Sequence, residues 1–191
     1  MTSHSFEIRP ERTADHPAVR QLHAQAFEDP ERVPGLVDAL RAAGRATSLV
    51  ATDGGAVVGH VMLSPGRLDA PERLVDVLSL SPLGVHPEHQ GRGVGTRLVA
   101  AALAAAEQVG CPAVFLEGAP AYYRARGFER ADAVGFRRPS LRTPAPAFLV
   151  ARLSAHRPWM TGTFVYAEPF WAHDCVGLRD LDLIARIESA D

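Results

Sequence analysis

Polar and apolar residues alternate over Phe6-Glu7-Ile8-Arg9, the two-residue period of a strand. The period then lengthens. Val19, Leu22, Ala26 and Phe27 share one face of a helix that begins near Pro17, with Thr13 or Asp15 as its cap. Glu28-Asp29-Pro30 breaks that helix, and Leu36, Val37 and Leu40 mark a second one running from Pro34 to a stop at Gly44. Two strand-like runs, Ser48 to Thr52 and Ala56 to Leu63, flank Asp53-Gly54-Gly55, a hairpin turn signal. Pro65 to Arg73 reads as a polar loop with two prolines, and Leu74 to Val85 as a strand longer than average. Pro82 cannot donate to a ladder, so it marks a bulge or the end of pairing.

In the second half, Val94, Leu98, Ala101, Ala105 and Val109 keep helical spacing until Gly110 and Pro112. A helix of that length is a crossover, which makes Ala113 to Leu116 a buried strand parallel to the previous one. A short helix, Pro120 to Arg126, closes at Gly127. Ala133 to Phe136 and Ala147 to Leu153 are further strands, joined by Arg137 to Pro146 as an ordered, proline-rich surface loop. Thr161 to Tyr166 adds a strand, and Leu178, Leu181, Ile184 and Ile187 follow helical spacing. Alternating helices and strands, with no repeat and no long linker, imply one α/β domain over 1–191, its core at about 5–153 and a C-terminal extension at 154–191.

Composition narrows the function classes. Of 191 residues, 47% are hydrophobic, which is ordinary for a globular chain, and the net charge of −2 points to neither nucleic acid nor an anionic membrane. Met1 to Pro10 holds charged residues and no apolar run, so no leader is expected and the cytoplasm is the expected compartment. Cys111 and Cys175 stand far apart, with neither metal-ligand spacing nor a disulfide framework, and no metal is expected. The chain contains no lysine, which removes Schiff-base and phosphate-loop lysine chemistry.

The densest signal is Leu83 to Thr96. An apolar run leads into a turn with glycines at 91, 93 and 95, and then a helix. Such a turn presents backbone N–H groups to an anion, and the helix behind it adds the positive end of its dipole. A dinucleotide fold needs its third glycine one residue later, near an opening strand, and a nucleotide-hydrolase loop needs a lysine. Neither fits. Gln90-Gly91-Arg92-Gly93-Val94-Gly95 instead resembles the pyrophosphate loop of the GNAT N-acetyltransferases, Gln/Arg-x-x-Gly-x-Gly/Ala. Upstream, Leu83-Gly84-Val85-His86-Pro87 is similar to the end of that family's fourth strand. Downstream, Tyr123-Arg124-Ala125-Arg126-Gly127-Phe128 is similar to its Tyr-x-x-x-Gly-Phe motif after strand five.

The resemblance implies a mixed central sheet with flanking helices, splayed between strands 4 and 5, where the pantetheine arm of acetyl-CoA lies as a pseudo-strand. It implies that the backbone of Leu83, Gly84 and Val85 contacts the pantetheine and acetyl group. The N–H groups over Gln90, Gly91, Arg92, Gly93, Val94, Gly95 and Thr96 would hold the pyrophosphate. The reaction implied is direct attack of a primary amine on the thioester through a tetrahedral intermediate, with Leu83 N–H at the oxyanion and Tyr123 as general acid toward the departing thiolate.

The general base is open. Where some relatives carry a strand-four glutamate, this chain has Ser79. Glu117, at the end of strand five, has the best position for a base, directly or through a water; a capping carboxylate before Gly118-Ala119-Pro120 is the equally available structural reading. An amine that arrives deprotonated needs no strong base. Glu28, Asp29 and Glu31 either attract a cationic acceptor or form a solvated turn, and Trp159, Phe164, Tyr166, Phe170 and Trp171 serve an acceptor pocket, a homodimer contact or the core. The expected activity is transfer from acetyl-CoA to a small-molecule amine. The alternatives are a protein N-terminal or lysine acetyltransferase and a non-catalytic acyl-CoA sensor.

Overall fold

The computed structural model describes residues 6–189; Met1 to Ser5, part of the stretch read for a leader, and Ala190 and Asp191 lie outside the described residues. Among the described residues, strands β1 (Glu7–Pro10), β2 (Thr47–Asp53), β3 (Ala56–Asp69), β4 (Leu74–Val85), β5 (Ala113–Glu117), β8 (Phe148–Arg152) and β6 (Glu129–Arg130) are hydrogen-bonded in that order, with β9 (Gly162–Tyr166) joined to β3 and to β7 (Phe136–Arg137). The chain forms two compact units: Met1–Ser64 with Leu80–Ala105, and Pro65–Ser79 with Ala106–Asp191.

In the first unit, β1 (Glu7–Pro10) pairs antiparallel with β2 (Thr47–Asp53), which turns through Gly54-Gly55 into β3 (Ala56–Asp69). Helix α1 (His16–Ala26) starts after a 3₁₀ turn at Thr13–Asp15. Asp15 caps that turn and not α1: its carboxylate accepts the Arg12 N–H at 2.7 Å and a forked pair from Arg9 at 2.6 and 3.0 Å. The Arg9 guanidinium, ahead of the Arg12 amide, holds the Asp15 carboxyl down to about 2. Helix α2 (Arg32–Ala42) begins two residues before Pro34 because Asp29 accepts the N–H groups of Glu31 and Arg32, both at 3.0 Å. Glu31 pairs with Arg20 at 2.6 Å, so two of the three acids of this turn are engaged in its own structure.

The two faces of β3 explain how this unit packs. Gly59 faces α3 (Val94–Gln108), where an added Cβ would come within 2.8 Å of Val94 and Leu98. His60, one residue on, faces the other way and meets His23 of α1. Val19 and Leu22 of α1, Leu36, Val37 and Leu40 of α2, and Val94, Leu98, Val99 and Ala102 of α3 are all buried. Each such valine or leucine side chain stabilises the fold by about 1.5–3 kcal/mol relative to exposure.

In the second unit, β3 continues through Pro65 to Asp69, where a loop was expected, and Gly66 to Asp69 pair antiparallel with β9 (Gly162–Tyr166). β4 (Leu74–Val85) has the bounds expected of it and pairs parallel with β5 (Ala113–Glu117) at Leu78↔Val114 and Ser79↔Phe115. That ladder stops three residues before Pro82. β8 (Phe148–Arg152) lies antiparallel to both β5 and β6 (Glu129–Arg130). The strand expected at Ala133 to Phe136 is a 3₁₀ turn at Asp132–Val134, then Gly135 at φ +92° and a two-residue β7 (Phe136–Arg137), parallel to β9.

Three further helices complete this unit: α4 (Pro120–Arg124), α5 (Glu168–Ala172), which has no counterpart in the expected elements, and α6 (Leu181–Ser189). Phe115 stacks on Phe164 and Phe148 at 4.6 and 5.7 Å between centroids, and Phe170 is fully buried. Phe164 and Phe170, two of the clustered C-terminal aromatics, are therefore core.

Candidate active site

In the first unit, β4 ends at Val85 and the His86 N–H still donates to Val58 of β3 at 2.9 Å. Leu83 and Val85 are half-buried, while Gly84 between them is buried under α1. A Cβ on Gly84 would stand 2.8 Å from Leu22 Cδ2 and from the Cε1 and Nδ1 of His23, so only glycine lets α1 lie on this backbone. A 3₁₀ turn at Pro87–His89 follows. Gln90 then turns back, its Nε2 donating to the Val85 carbonyl at 3.2 Å, which ties the turn to the strand end. The side chain of Gln90 thus fastens the loop.

Gly91 and Gly93 have φ of +70° and +83°, the left-handed region that side chains resist. Both are exposed, with nothing within 4 Å of where a Cβ would stand. The Gly93 carbonyl accepts the Arg97 N–H at 3.1 Å, which makes Gly93 the cap of α3 and aims the helix's first-turn amides at the turn. An open turn of backbone at a helix N-terminus suits a phosphate group.

Beneath Gly84 lies a buried polar chain. His23 Nε2 and His60 Nδ1 are 2.7 Å apart, and His60 Nε2 is 2.7 Å from Ser48 Oγ. Burial pushes both imidazoles down to about 3; for His23 the neighbouring His60 and Arg41 add to it while Glu11 opposes, and for His60 Arg41 adds. His23 Nδ1, against Gly84, has no hydrogen-bond partner.

The second unit holds a carboxyl and a phenol linked through Gly118. The Gly118 N–H donates to Ala147 at 2.9 Å, and a Cβ on it would lie 2.5 Å from Tyr123 Cε2, so the phenol ring rests on the backbone next to Glu117. Phe128 and Tyr122 meet the Tyr123 ring edge-on at 5.7 and 4.9 Å. Tyr122 itself faces Arg126, whose guanidinium is 3.5 Å from the ring centroid. Burial, with Tyr122 adding, pushes the Tyr123 phenol up to about 12. It stays protonated at neutral pH.

Burial likewise pushes the Glu117 carboxyl up to about 7, against the Tyr166 hydroxyl, Thr143, the Gly177 N–H and Arg142, which all favour its charged form. Gly177 N–H donates to Glu117 Oε2 at 3.1 Å. Glu117 Oε1 and Thr143 Oγ1 are buried with no partner of hydrogen-bond geometry, and Thr143 lies in a segment expected to be surface loop. A carboxyl that titrates near neutrality is suited to proton transfer.

The family profile described as an acetyltransferase (GNAT) domain matches residues 7–131. The chain belongs to the GNAT acetyltransferase family. YjhQ, an uncharacterized N-acetyltransferase of Escherichia coli (strain K12), is 34% identical over 136 residues, covering 68% of this chain and 72% of YjhQ. Among solved structures, YhbS, a GNAT family N-acetyltransferase from Escherichia coli in complex with CoA, matches with a TM-score of 0.80 and 32% identity, over 89% of this chain and 94% of YhbS. A GNAT family acetyltransferase from Brucella melitensis in complex with acetyl-CoA matches with a TM-score of 0.71 and 30% identity, over 87% of this chain and 99% of that one.

In this GNAT chain the expected site residues fall into two groups, each continuous in its own unit. Leu83 to Val85 and Gln90 to Thr96 form one stretch of strand end, turn and helix start in the first unit, and Glu117 and Tyr123 flank Gly118 in the second. Three buried polar residues, His23, His60 and Thr143, escaped the sequence reading because periodicity counts apolar positions. Among the described residues no group of three or more His, Cys, Asp or Glu could hold a metal ion, and no helix is long and apolar enough to cross a membrane.

Proposed function

We propose that the protein transfers the acetyl group of acetyl-CoA to a primary amine of a small molecule. The observation that carries the donor half of this is the Gly91–Gly93 turn capping α3, open beside both glycines and fastened by Gln90 to the end of β4. The CoA and acetyl-CoA complexes of its relatives YhbS and the Brucella protein support the cosubstrate.

Each residue then has a role. The amides from Gly91 to Thr96 hold the pyrophosphate, and the backbone of Leu83 to Val85 aligns the pantetheine arm. Leu83 N–H donates to the acetyl carbonyl oxygen as negative charge grows there. Glu117, directly or through a water, takes the proton that the amine gives up. Tyr123 is assigned as the acid toward the departing sulfur; a phenol held near 12 gives a thiolate a hydrogen bond more readily than it parts with its proton.

Thiol release from acetyl-CoA, followed over a panel of small amines, a lysine-bearing peptide and a peptide with a free N-terminus, tests the proposal. Turnover with a small amine is the expected result. Turnover confined to the peptides would replace the acceptor class, and tight CoA binding with no turnover on any amine would replace the enzyme with a sensor. Gly93→Val tests the cradle. Space around Gly93 is open, so the folding cost is backbone strain of about 1–2 kcal/mol, while the side chain blocks the anion's approach. CoA affinity measured by calorimetry should drop at least about tenfold, or about 1.4 kcal/mol. Unchanged affinity in folded protein would put the pyrophosphate elsewhere.

A further inference from the structure

The C-terminal extension does more than pad the core of the second unit. Its first strand, β9, sets the buried Tyr166 near Glu117. Beyond α5, the chain doubles back in two left-handed steps, Asp174 at φ +51° and Gly177 at φ +65°. Among the described residues Asp174 is the one non-glycine residue with positive φ.

This turn is latched on the segment before β8 at three points. Arg142 pairs with Asp174 at 3.3 Å, and its carbonyl accepts the Leu178 N–H at 2.8 Å. Its backbone also lies so near Gly177 that an added Cβ there would be 2.5 Å from the Arg142 carbonyl carbon. The result of the latch is the Gly177 N–H at 3.1 Å from Glu117 Oε2. A helical tail that only packed against the sheet would need neither the two left-handed residues nor an amide aimed at a carboxylate.

We infer that the extension completes the catalytic site, with the Gly177 amide orienting the Glu117 carboxyl, Tyr166 set beside it, and the Asp174–Gly177 turn as the strap that closes it from water. This rests on the reading of Glu117 as the base. The groups facing that carboxyl are the Tyr166 hydroxyl from β9, Thr143 and the Arg142 guanidinium from the segment before β8, and the Gly177 amide from the strap. Cys175 faces Tyr166, and Asp174 holds both Arg142 and Arg179. The Tyr166 hydroxyl and the Gly177 amide both favour the carboxylate, but the strap's larger effect is to exclude water, and it also keeps Arg142 occupied, so on balance the strap acts against the carboxylate. Removing the hydroxyl and loosening the strap therefore move Glu117 in opposite directions.

The test is the pH profile of kcat/KM for the full chain, together with infrared titration of the Glu117 carboxyl band, read as the difference from Glu117→Gln and independent of turnover. Tyr166→Phe keeps the ring, so the core stays filled; the acid limb and the carboxyl midpoint should move up by about one pH unit. Asp174→Asn tolerates positive φ, frees Arg142 and loosens the strap, and should move both down. Opposed shifts support the inference. If Glu117→Gln abolishes the acid limb while neither other variant moves it, or both move it the same way, the strap's role is overturned and Glu117 stays the base. Should the limb survive in Glu117→Gln, the base assignment fails, and the inference with it. If Tyr166→Phe does not fold, the downward shift in Asp174→Asn decides the matter alone.

Discussion

Replacing Tyr123 by phenylalanine should lower kcat by roughly 10- to 10⁴-fold while leaving CoA affinity nearly unchanged. The phenyl ring keeps the packing on Gly118, Phe128 and Tyr122, so the fold should survive and the loss should report the hydroxyl alone. Because burial holds this phenol near 12, the deficit should be flat between pH 6 and 9: no titration of Tyr123 falls there. Stopped-flow detection of CoA release, with CoA affinity from calorimetry, checks both parts. An unchanged kcat would mean that sulfur departure needs no help from this residue. A deficit that varied with pH across that window would mean that the proton, and not a hydrogen bond, limits the step.

Acid should destabilise the protein well before ordinary carboxylates protonate. His23 and His60 stay neutral in the fold down to about 3 but take up protons near 6.5 once unfolded. Between those values the unfolded chain binds more protons, so stability falls as pH falls, at about 1.4 kcal/mol per pH unit for each imidazole. Glu117 acts with the opposite sign. Its folded value of about 7 lies above its unfolded value of 4.5, so in that window the folded state binds the extra proton and gains stability as pH falls. One histidine is offset. The slope of unfolding free energy from pH 6.5 to 4.5 should therefore be near 1.4 kcal/mol per unit, and it should roughly double in Glu117→Gln. Urea denaturation at half-unit pH steps measures both; equal slopes in the two proteins would show that the Glu117 carboxyl titrates at its ordinary value.

Local signals recovered much of the fold because they suffice where structure is made locally. The Asp53-Gly54-Gly55 turn fixes the β2–β3 hairpin, and an uninterrupted strand pattern delimits β4 to the residue. The glycine turn was legible for a related reason: its partners are its own neighbours, Val85 and Arg97. What stayed hidden depends on distant chain. Pro65 to Arg73 reads as a polar loop, yet Gly66 is where the Phe164 ring lies on the strand, and its absent side chain is a fit that only β9 reveals. His23 is not among the apolar positions that mark the first helix; it is buried because Gly84 leaves room and His60 supplies a partner. Thr143 looked like loop because nothing nearby in sequence says that Glu117, Arg142 and the strap converge on it.

The chain passes from one compact unit to the other inside β3, at Ser64/Pro65, and inside β4, at Ser79/Leu80. Neither unit is therefore one unbroken length of polypeptide, and this sets an order of events during synthesis. Everything the first unit needs has left the ribosome once Ala105 emerges, whereas Gly66 to Asp69 must wait roughly 100 residues for Tyr166 to Thr163. At about 5–20 residues per second that is about 5 to 20 seconds with one strand edge lacking its eventual neighbour. The nascent chain is most open to wrong pairing in that interval. Truncation just before β9 would make the interval permanent, and such a fragment should be recovered as aggregate.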